Sequence, residues 1–295
     1  MIKPASDKAP SLILFAAAAV WGFYWLPLRQ IQEAGLTSTW GVAFFNACPL
    51  IVMIPYVILK RKTQLVAVKR VLIIGMLTGF GMSFYAIGLV TSGVIRATLL
   101  FYLTPIWSTL IGVIWLKERL SPGRIIAIML GLFGLYLLLS SVSETSAPLN
   151  IGDGFALLSG VFWGLGAACM KRWPDAPTVA ASTAQLAFVL LSSAVVALVI
   201  FGDPLPATGA FLAAFPVAFV ASTLVFLPSL MAVFWASKYL FPGRVGLLMM
   251  SEALIAILSA SWLLPAESLS PWQWVGGIII LSACLVEVAS KDEKA

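Results

Sequence analysis

Residues 71–90 read VLIIGMLTGFGMSFYAIGLV, a run that holds no charged side chain and directly follows Lys69 and Arg70. A helix needs about 20 apolar residues to cross the hydrocarbon core of a bilayer, so this run predicts a transmembrane span. Hydrophobic residues make up 61% of the 295-residue chain and charged residues only 10%. A soluble domain carries roughly 25% charged residues, because its surface faces water. Most of this protein must therefore face lipid.

Similar runs recur along the chain, bounded by charged residues or by Pro, Gly and Asp turns. They predict ten spans, at 11–29, 38–59, 70–90, 93–116, 122–141, 152–171, 178–201, 209–238, 242–264 and 271–289. No polar block between them is long enough to fold outside the bilayer. The eighth run contains Pro216 and Pro228, which predict a span that is kinked, tilted or partly outside the membrane. The sequence thus predicts an all-α integral membrane protein with ten transmembrane helices.

The basic residues are distributed unevenly between the two sides of this predicted bundle. If the N-terminus is cytoplasmic, 16 of the 18 Lys and Arg residues lie in cytoplasmic segments, and only Arg29 and Arg96 lie on the other side. Positive residues are retained on the cytoplasmic side of membrane proteins. We therefore expect both termini to be cytoplasmic and the protein to lie in the inner (plasma) membrane.

The two halves of the chain, 11–141 and 152–289, repeat each other. Three matches occur in the same order in both halves, namely Val20-Trp21-Gly22 with Phe162-Trp163-Gly164, Tyr85-Ala86 with Trp235-Ala236, and 115–122 with 262–271. Ordered matches at a nearly constant offset indicate an internal repeat. Each half holds five spans, an odd number, so the second half must be inserted upside down. Inverted repeats with a binding site at their interface are typical of secondary transporters.

The same residues carry a resemblance to a known family. The Trp-Gly pairs of the first and sixth spans, and a fourth span that runs into Glu118-Arg-Leu-Ser-Pro122, resemble the EamA-type branch of the drug/metabolite transporter superfamily. Within it, Phe101-Tyr-Leu-Thr-Pro105 together with Trp163 resembles the YddG-type aromatic amino-acid exporters. The resemblance implies a ten-helix carrier that moves metabolites, often outward. The family usually has Glu-Pro in the ninth span, whereas this chain has Glu252-Ala253, so the usual helix break is not expected here.

Charged side chains inside the membrane are the first candidates for a site, because each is costly in hydrocarbon unless paired or hydrated. Glu252 is the one acidic residue near the middle of a predicted span, and the aspartates, Asp153 among them, are assigned to loops or tails. Glu252 could face a substrate ammonium or carry a proton, or its carboxyl could be satisfied by a neighbour such as Ser251. Arg96 begins the fourth span, where it could attract a carboxylate or snorkel to the interface.

Aromatic side chains are the second group of candidates. Several lie deep in their spans and recur at related positions in the two halves, namely Trp21, Phe80, Tyr85, Tyr102, Trp107, Trp163 and Trp235. Flat walls suit a flat hydrophobic substrate, and each aromatic contact gives about 0.5–1.5 kcal/mol beyond area burial. Helix packing against the adjacent glycines is the alternative for Trp21 and Trp163. We expect these aromatic residues and Glu252 to form the substrate site.

The sequence therefore predicts a secondary transporter of small amphipathic metabolites, foremost amino acids with aromatic or large apolar side chains. It would export them by alternating access through a cavity between the repeats. A nucleotide-sugar or drug carrier of the same superfamily is the alternative, and an intramembrane enzyme a more distant one. We expect no catalytic residues, cofactor, metal or nucleic-acid partner, since the chain has no His and no nucleotide-binding cassette. The oligomeric state stays open, with a monomer as the simplest assembly.

Overall fold

Ten apolar helical runs make up most of the protein. The computed structural model describes residues 7–92, 94–139, 148–263 and 270–289. Within them, ten runs are long and apolar enough to cross a membrane, and we number these runs as spans 1 to 10. They are Lys8–Glu33, Thr39–Leu59, Val68–Leu89, Arg96–Leu116, Pro122–Leu139, Ile151–Arg172, Thr178–Ile200, Thr208–Ser237, Pro242–Leu263 and Pro271–Val288. The prediction of ten transmembrane helices is confirmed, and the last predicted residues of span 5, 140 and 141, lie outside the described residues.

The individual helices show where these spans are interrupted. The α-helices are Lys8–Trp21, Trp25–Glu33, Ser38–Ala47, Leu50–Leu59, Arg61–Gln64, Val68–Ser92, Val94–Phe101, Thr104–Leu116, Pro122–Leu139, Ile151–Arg172, Thr178–Val195, Thr208–Phe219, Leu227–Ser237, Pro242–Leu248, Met250–Leu263 and Pro271–Ala289. Two π-helical stretches, Val196–Ile200 and Val220–Phe226, continue spans 7 and 8. The second precedes Pro228, which has no N–H to donate to the helix. Span 8 is thus one long run of 30 residues with an altered helical register.

Besides span 2, which is interrupted at Cys48 and Pro49, three spans are broken near their middle. Span 1 is interrupted by a tight turn after Trp21, in which the N–H of Tyr24 donates to the carbonyl of Trp21 at 2.9 Å. Span 4 is interrupted after Phe101, just before Thr104, and span 9 is interrupted at Met249. The break in span 9 lies just ahead of Glu252, although no proline follows that residue. The helix Met250–Leu263 continues through Ala253, where the family has its proline, so this chain has no break at that residue.

The two halves of the chain interlock. The most extensive helix contacts join span 6 to span 3, span 10 to span 5, and span 7 to span 3. Spans 1 and 8 also pack together, as do spans 4 and 9. Each of these pairs takes one helix from each half. A cavity in the middle of the bundle is consequently lined by both halves.

Spans 5 and 10 approach most closely at two glycines. A Cβ built on Gly134 would lie 2.8 Å from the carbonyl oxygen of Gly276, and one built on Gly276 would meet the carbonyl of Gly134 in turn. No side chain larger than hydrogen fits between these backbones. The small residues therefore set the distance between the two helices.

Asp153 belongs to a helix, contrary to its assignment to a loop. It lies in the first turn of span 6, where its carboxylate accepts the N–H of Asn150 at 2.8 Å in a capping box. The guanidinium of Arg96 lies 3.3 Å from the same carboxylate and also donates to the carbonyl of Pro148 at 3.1 Å. Both side chains are buried. Arg96 therefore holds an ion pair between spans 4 and 6 rather than snorkelling to the interface.

A second set of buried charges lies past the other end of span 4. Lys117 adopts a left-handed conformation (φ 58°) and turns the chain back, so that the N–H of Glu118 donates to the carbonyl of Gly112 at 3.0 Å. Four buried residues then form what we call the ionic cluster, namely Glu118, Arg124, Arg244 and Glu287. Arg124 pairs with Glu118 and donates to Glu287 at 3.2 Å, and Arg244 lies 3.8 Å from the same Glu287 oxygen. This cluster was not predicted from the sequence, because its members lie at the ends of spans.

Candidate functional site

Two adjoining pockets form a cavity at the level of the three helix breaks. They share Trp21, Tyr24, Met82, Tyr85 and Glu252. The inner pocket, of about 40 Å³, is completed by Phe101, Trp163, Gln185, Leu230, Val233 and Met249. The outer pocket, of about 240 Å³, continues past Trp25, Leu28, Val42, Leu89, Thr98, Tyr102 and Leu139. It runs toward the end of the bundle at which span 4 begins, and both halves of the chain line it.

Five of the eight residues that we expected to form the site lie at this cavity. Trp21, Tyr85, Trp163 and Glu252 line the inner pocket, and Tyr102 lines the outer one. Trp21 precedes the break of span 1 and Tyr102 lies in the break of span 4. A broken helix ends in backbone groups that lack helical partners, and carriers use such interruptions around their substrate. The breaks thus place these aromatic rings beside one another.

The other three expected residues lie outside the two pockets. Phe80 stacks on Phe84 at 5.9 Å between ring centroids and also packs edge-on against Phe162. Trp235 packs against the ring of Tyr239 at 5.1 Å. Trp107 is half-buried in span 4, and its indole N–H has no hydrogen-bond partner. Their positions indicate a packing role for Phe80 and Trp235, whereas the unsatisfied N–H of Trp107 has no explanation in the structure.

Trp163 is fixed in orientation by its neighbours. Its indole N–H lies 2.9 Å from the sulfur of Met249, at the break of span 9, and the side chain is buried. The adjacent Gly164 allows span 6 to touch span 4, since a Cβ there would lie 2.8 Å from the hydroxyl oxygen of Ser108. The glycine therefore serves packing while the tryptophan faces the cavity. Packing thus accounts for Gly164, and the role of Trp163 in binding stays a prediction.

The aromatic walls are held by contacts among themselves. The ring of Tyr85 lies 4.6 Å from that of Phe101, and its hydroxyl is 3.1 Å from the hydroxyl of Thr98. The ring of Trp21 packs at 5.4 Å from Tyr24 and at 5.2 Å edge-on to Phe226. Aromatic pairs at these distances stabilise one another in tilted and edge arrangements. The aromatic residues of the cavity wall are therefore in mutual contact, and the wall is mostly apolar.

Glu252 supplies the one carboxyl among the residues that line the cavity. It lies in the first turn of the helix Met250–Leu263, where the positive end of the helix dipole favours a carboxylate. Its carboxyl interacts electrostatically with the hydroxyls of three cavity tyrosines, Tyr24, Tyr85 and Tyr102. Ser251 does not satisfy it, because the hydroxyl of Ser251 donates to the carbonyl of Phe15 at 3.0 Å. No Lys or Arg is among the residues that line either pocket.

Two polar residues of the cavity were missed in the sequence. Gln185 of span 7 is 2% exposed, and its side-chain oxygen has no hydrogen-bond partner. Tyr24, in the break of span 1, also has a buried hydroxyl without a geometrically acceptable partner. An amide in the middle of an otherwise apolar span is the signal that could have identified Gln185. Charged, aromatic and glycine residues alone do not identify this position as part of the cavity.

Comparisons with known proteins agree with the fold. The model of a family described as the EamA-like transporter family matches residues 9–140 and 150–288. A solved crystal structure superposes with a TM-score of 0.72 over 94% of this chain and 96% of its own, at 21% sequence identity. At that identity the likeness extends to the fold alone. No curated protein matches the sequence.

Proposed function

The chain belongs to the EamA-like transporter family, and from this premise we propose that it exports small amphipathic metabolites, foremost amino acids with aromatic or large apolar side chains. The family makes it a multi-pass membrane transporter of the drug/metabolite superfamily. The observation that carries the substrate proposal is the central cavity. Its walls are aromatic, its charge comes from Glu252, and no Lys or Arg lines either pocket.

The composition of the cavity argues against the other substrate classes. A nucleotide sugar carries phosphate groups, which need cationic partners in a site shielded from water. Drug-sized ligands usually occupy pockets of about 300–1,000 Å³, whereas the outer pocket here has about 240 Å³. An aspartyl-type membrane enzyme needs two facing carboxylates, and Glu252 is the one acidic residue among those lining the pockets. A small molecule with an apolar body suits the cavity best.

The helix contacts support an inverted-repeat architecture. Gly22 of span 1 lies against span 9, where a Cβ would meet that of Ile255 at 2.6 Å, and Gly164 of span 6 lies against span 4. A twofold relation between the halves exchanges these two contacts. It also exchanges Gly134 with Gly276, which touch one another reciprocally, as residues beside a twofold axis do. On this architecture, the transport cycle is alternating access around the cavity, driven by movement of one repeat against the other.

Transport through this cavity is tested by counterflow in proteoliposomes with a panel of amino acids, sugars and drugs. We expect uptake of aromatic amino acids, and we expect Trp163→Ala and Tyr102→Ala to reduce it at unchanged protein level. Trp235→Ala is the matched control, because that residue lies outside the pockets. Parent rates in both cavity variants would overturn the proposal.

The orientation in the inner membrane is proposed from the basic residues. Cysteines introduced at the exposed positions Lys62 and Leu149 lie at opposite ends of the bundle. In cells, Leu149→Cys should react with an impermeant thiol reagent and Lys62→Cys should not. The reverse pattern would invert the orientation.

A further inference from the structure

Two polar side chains of the inner pocket lie on spans 7 and 9. Glu252 contributes a carboxyl and Gln185 an amide, and both line the same pocket as Trp163. The side chain of Gln185 is almost completely buried and its oxygen is unpartnered. A buried polar atom without a partner lowers stability, because it loses its hydration and gains no hydrogen bond in exchange. A ligand that donates a hydrogen bond would remove this cost.

An ammonium group is the ligand chemistry that fits both residues. It offers three donors and a positive charge, whereas the guanidinium and ammonium side chains that would receive a carboxylate are missing from the lining of both pockets. The amide of Gln185 can turn by half a rotation and present its N–H groups instead. Glu252 and the lack of basic residues therefore decide the preferred charge, and Gln185 supplies a second contact.

We propose that Gln185 and Glu252 form the part of the cavity that recognises the amine of the substrate, and that substrate carboxylates are not recognised. This inference rests on the proposed function, because it names the polar group through which molecules bind in that cavity. The aromatic or apolar body of the substrate packs against Trp21, Tyr85 and Phe101 of the first half. Its amine contacts the second half. An aromatic amine without a carboxylate consequently binds at least as well as the corresponding amino acid.

Three probes with the same phenyl ring separate these contributions. They are 2-phenylethylamine (a cation), phenylalanine (a zwitterion) and 3-phenylpropanoate (an anion). Their dissociation constants are measured by calorimetry with the purified full-length protein in detergent at neutral pH. We expect the amine to bind tightest and the propanoate at least tenfold more weakly. Equal affinities of all three would overturn the inference.

Variants of Gln185 and Glu252 assign the preference to these residues. Gln185→Leu and Glu252→Gln should each weaken binding of the amine about 10- to 100-fold, as expected for a lost hydrogen bond to a charged group. Gln185→Glu should strengthen amine binding and weaken propanoate binding further. Gln273→Leu is the control, since Gln273 donates to the carbonyl of Leu138 and does not line the pockets. Each variant is first checked for an unchanged melting temperature. If Gln185→Leu or Glu252→Gln melts at a lower temperature, the role of Gln185 is judged from the affinities of Gln185→Glu instead.

The outcomes separate this inference from the function on which it rests. If the Gln185 variants change all three affinities by the same factor, the amide contributes packing and not charge recognition, and the inference fails. The proposed function can survive that result, because it is judged by transport in Trp163→Ala and Tyr102→Ala. If none of the probes binds, the inference fails as well.

Discussion

Span 4 is tied by buried ion pairs at both of its ends, but the two ties differ in size. At its start, Arg96 pairs with the carboxylate of Asp153 and links span 4 to span 6. Beyond its end, Glu118 enters the ionic cluster, which extends through Arg124 to spans 5, 9 and 10. The start of span 4 also carries the short helix Val94–Phe101, separated from the rest by the break at Tyr102.

This difference determines how much free energy is needed to separate each end of span 4 from the spans it contacts. Opening the start of span 4 separates Arg96 from Asp153, and Asp153 keeps the N–H of Asn150 and the helix N-terminus when Arg96 leaves. Opening the other end separates two buried cations from two buried anions, so that each of these charges loses a partner. We therefore expect the helix Val94–Phe101, which faces the outer pocket, to be the more easily moved part of span 4. The following predictions test this comparison.

The largest effect is expected for Arg124→Met. The substitution removes the cation that pairs with both Glu118 and Glu287 and leaves Arg244 as the remaining cation of the ionic cluster. A broken buried ion pair costs about 3–5 kcal/mol. The apparent melting temperature of the purified protein in detergent should fall sharply. Arg119→Met is the matched control, because Arg119 lies beside Glu118 in the loop between spans 4 and 5 and is exposed. Equal losses in the two variants would show that the ionic cluster contributes little.

A smaller effect is expected for Arg96→Met at the start of span 4. For the lost hydrogen bond to the Asp153 carboxylate we expect about 1.5–3 kcal/mol, since Asp153 retains its capping interactions. Asp153→Asn and the double variant complete a double-mutant cycle, which isolates the energy of the pair. A larger loss for Arg96→Met than for Arg124→Met would reverse the order of the two ends.

The comparison also shows which features of the fold and of the candidate site were predictable from the sequence. Spans were predictable because each must supply about 20 apolar residues, whatever it packs against. Tyr85, Trp163 and Glu252 were found at the cavity because large aromatic and charged side chains in mid-membrane are conspicuous. Their register within the bundle was not predictable. Phe80 shows this, since it lies two residues before Met82, which lines the cavity, and packs against Phe84 instead.

The ion pairs at the two ends of span 4 were missed for a different reason. Residues such as Asp153 and Glu118 lie at the ends of apolar runs, where charged side chains are normally hydrated. Their burial follows from which spans meet, and Asp153 meets Arg96 only because span 6 packs against span 4. The break at Met249 was missed likewise, because no glycine or proline in the sequence marks it. Tertiary contacts decide these features.

The smallest effect concerns Lys238, which lies between spans 8 and 9 at the same end as the ionic cluster. Its ammonium donates to the carbonyl of Ala176, and burial lowers its pKa from 10.5 to about 8, partly offset by the charge of Asp175. Below pH 8 this lysine is protonated in both the folded and the unfolded protein, so the full cost of burying the charge is present. Between pH 8 and 10.5 the unfolded chain holds more protons, so stability rises with pH, by no more than about 1.4 kcal/mol per pH unit.

Melting temperatures of the parent and of Lys238→Met between pH 7 and 10 measure this contribution. The parent should gain relative to the variant as the pH passes 8, because the variant has no proton to release at that position. Lys62→Met, at an exposed site, is the control and should follow the parent at every pH. A constant difference between parent and Lys238→Met would mean that the lysine stays charged when buried. The stability contributed by the end of the bundle that holds the ionic cluster would then be no more sensitive to pH than that contributed by the end with Arg96 and Asp153.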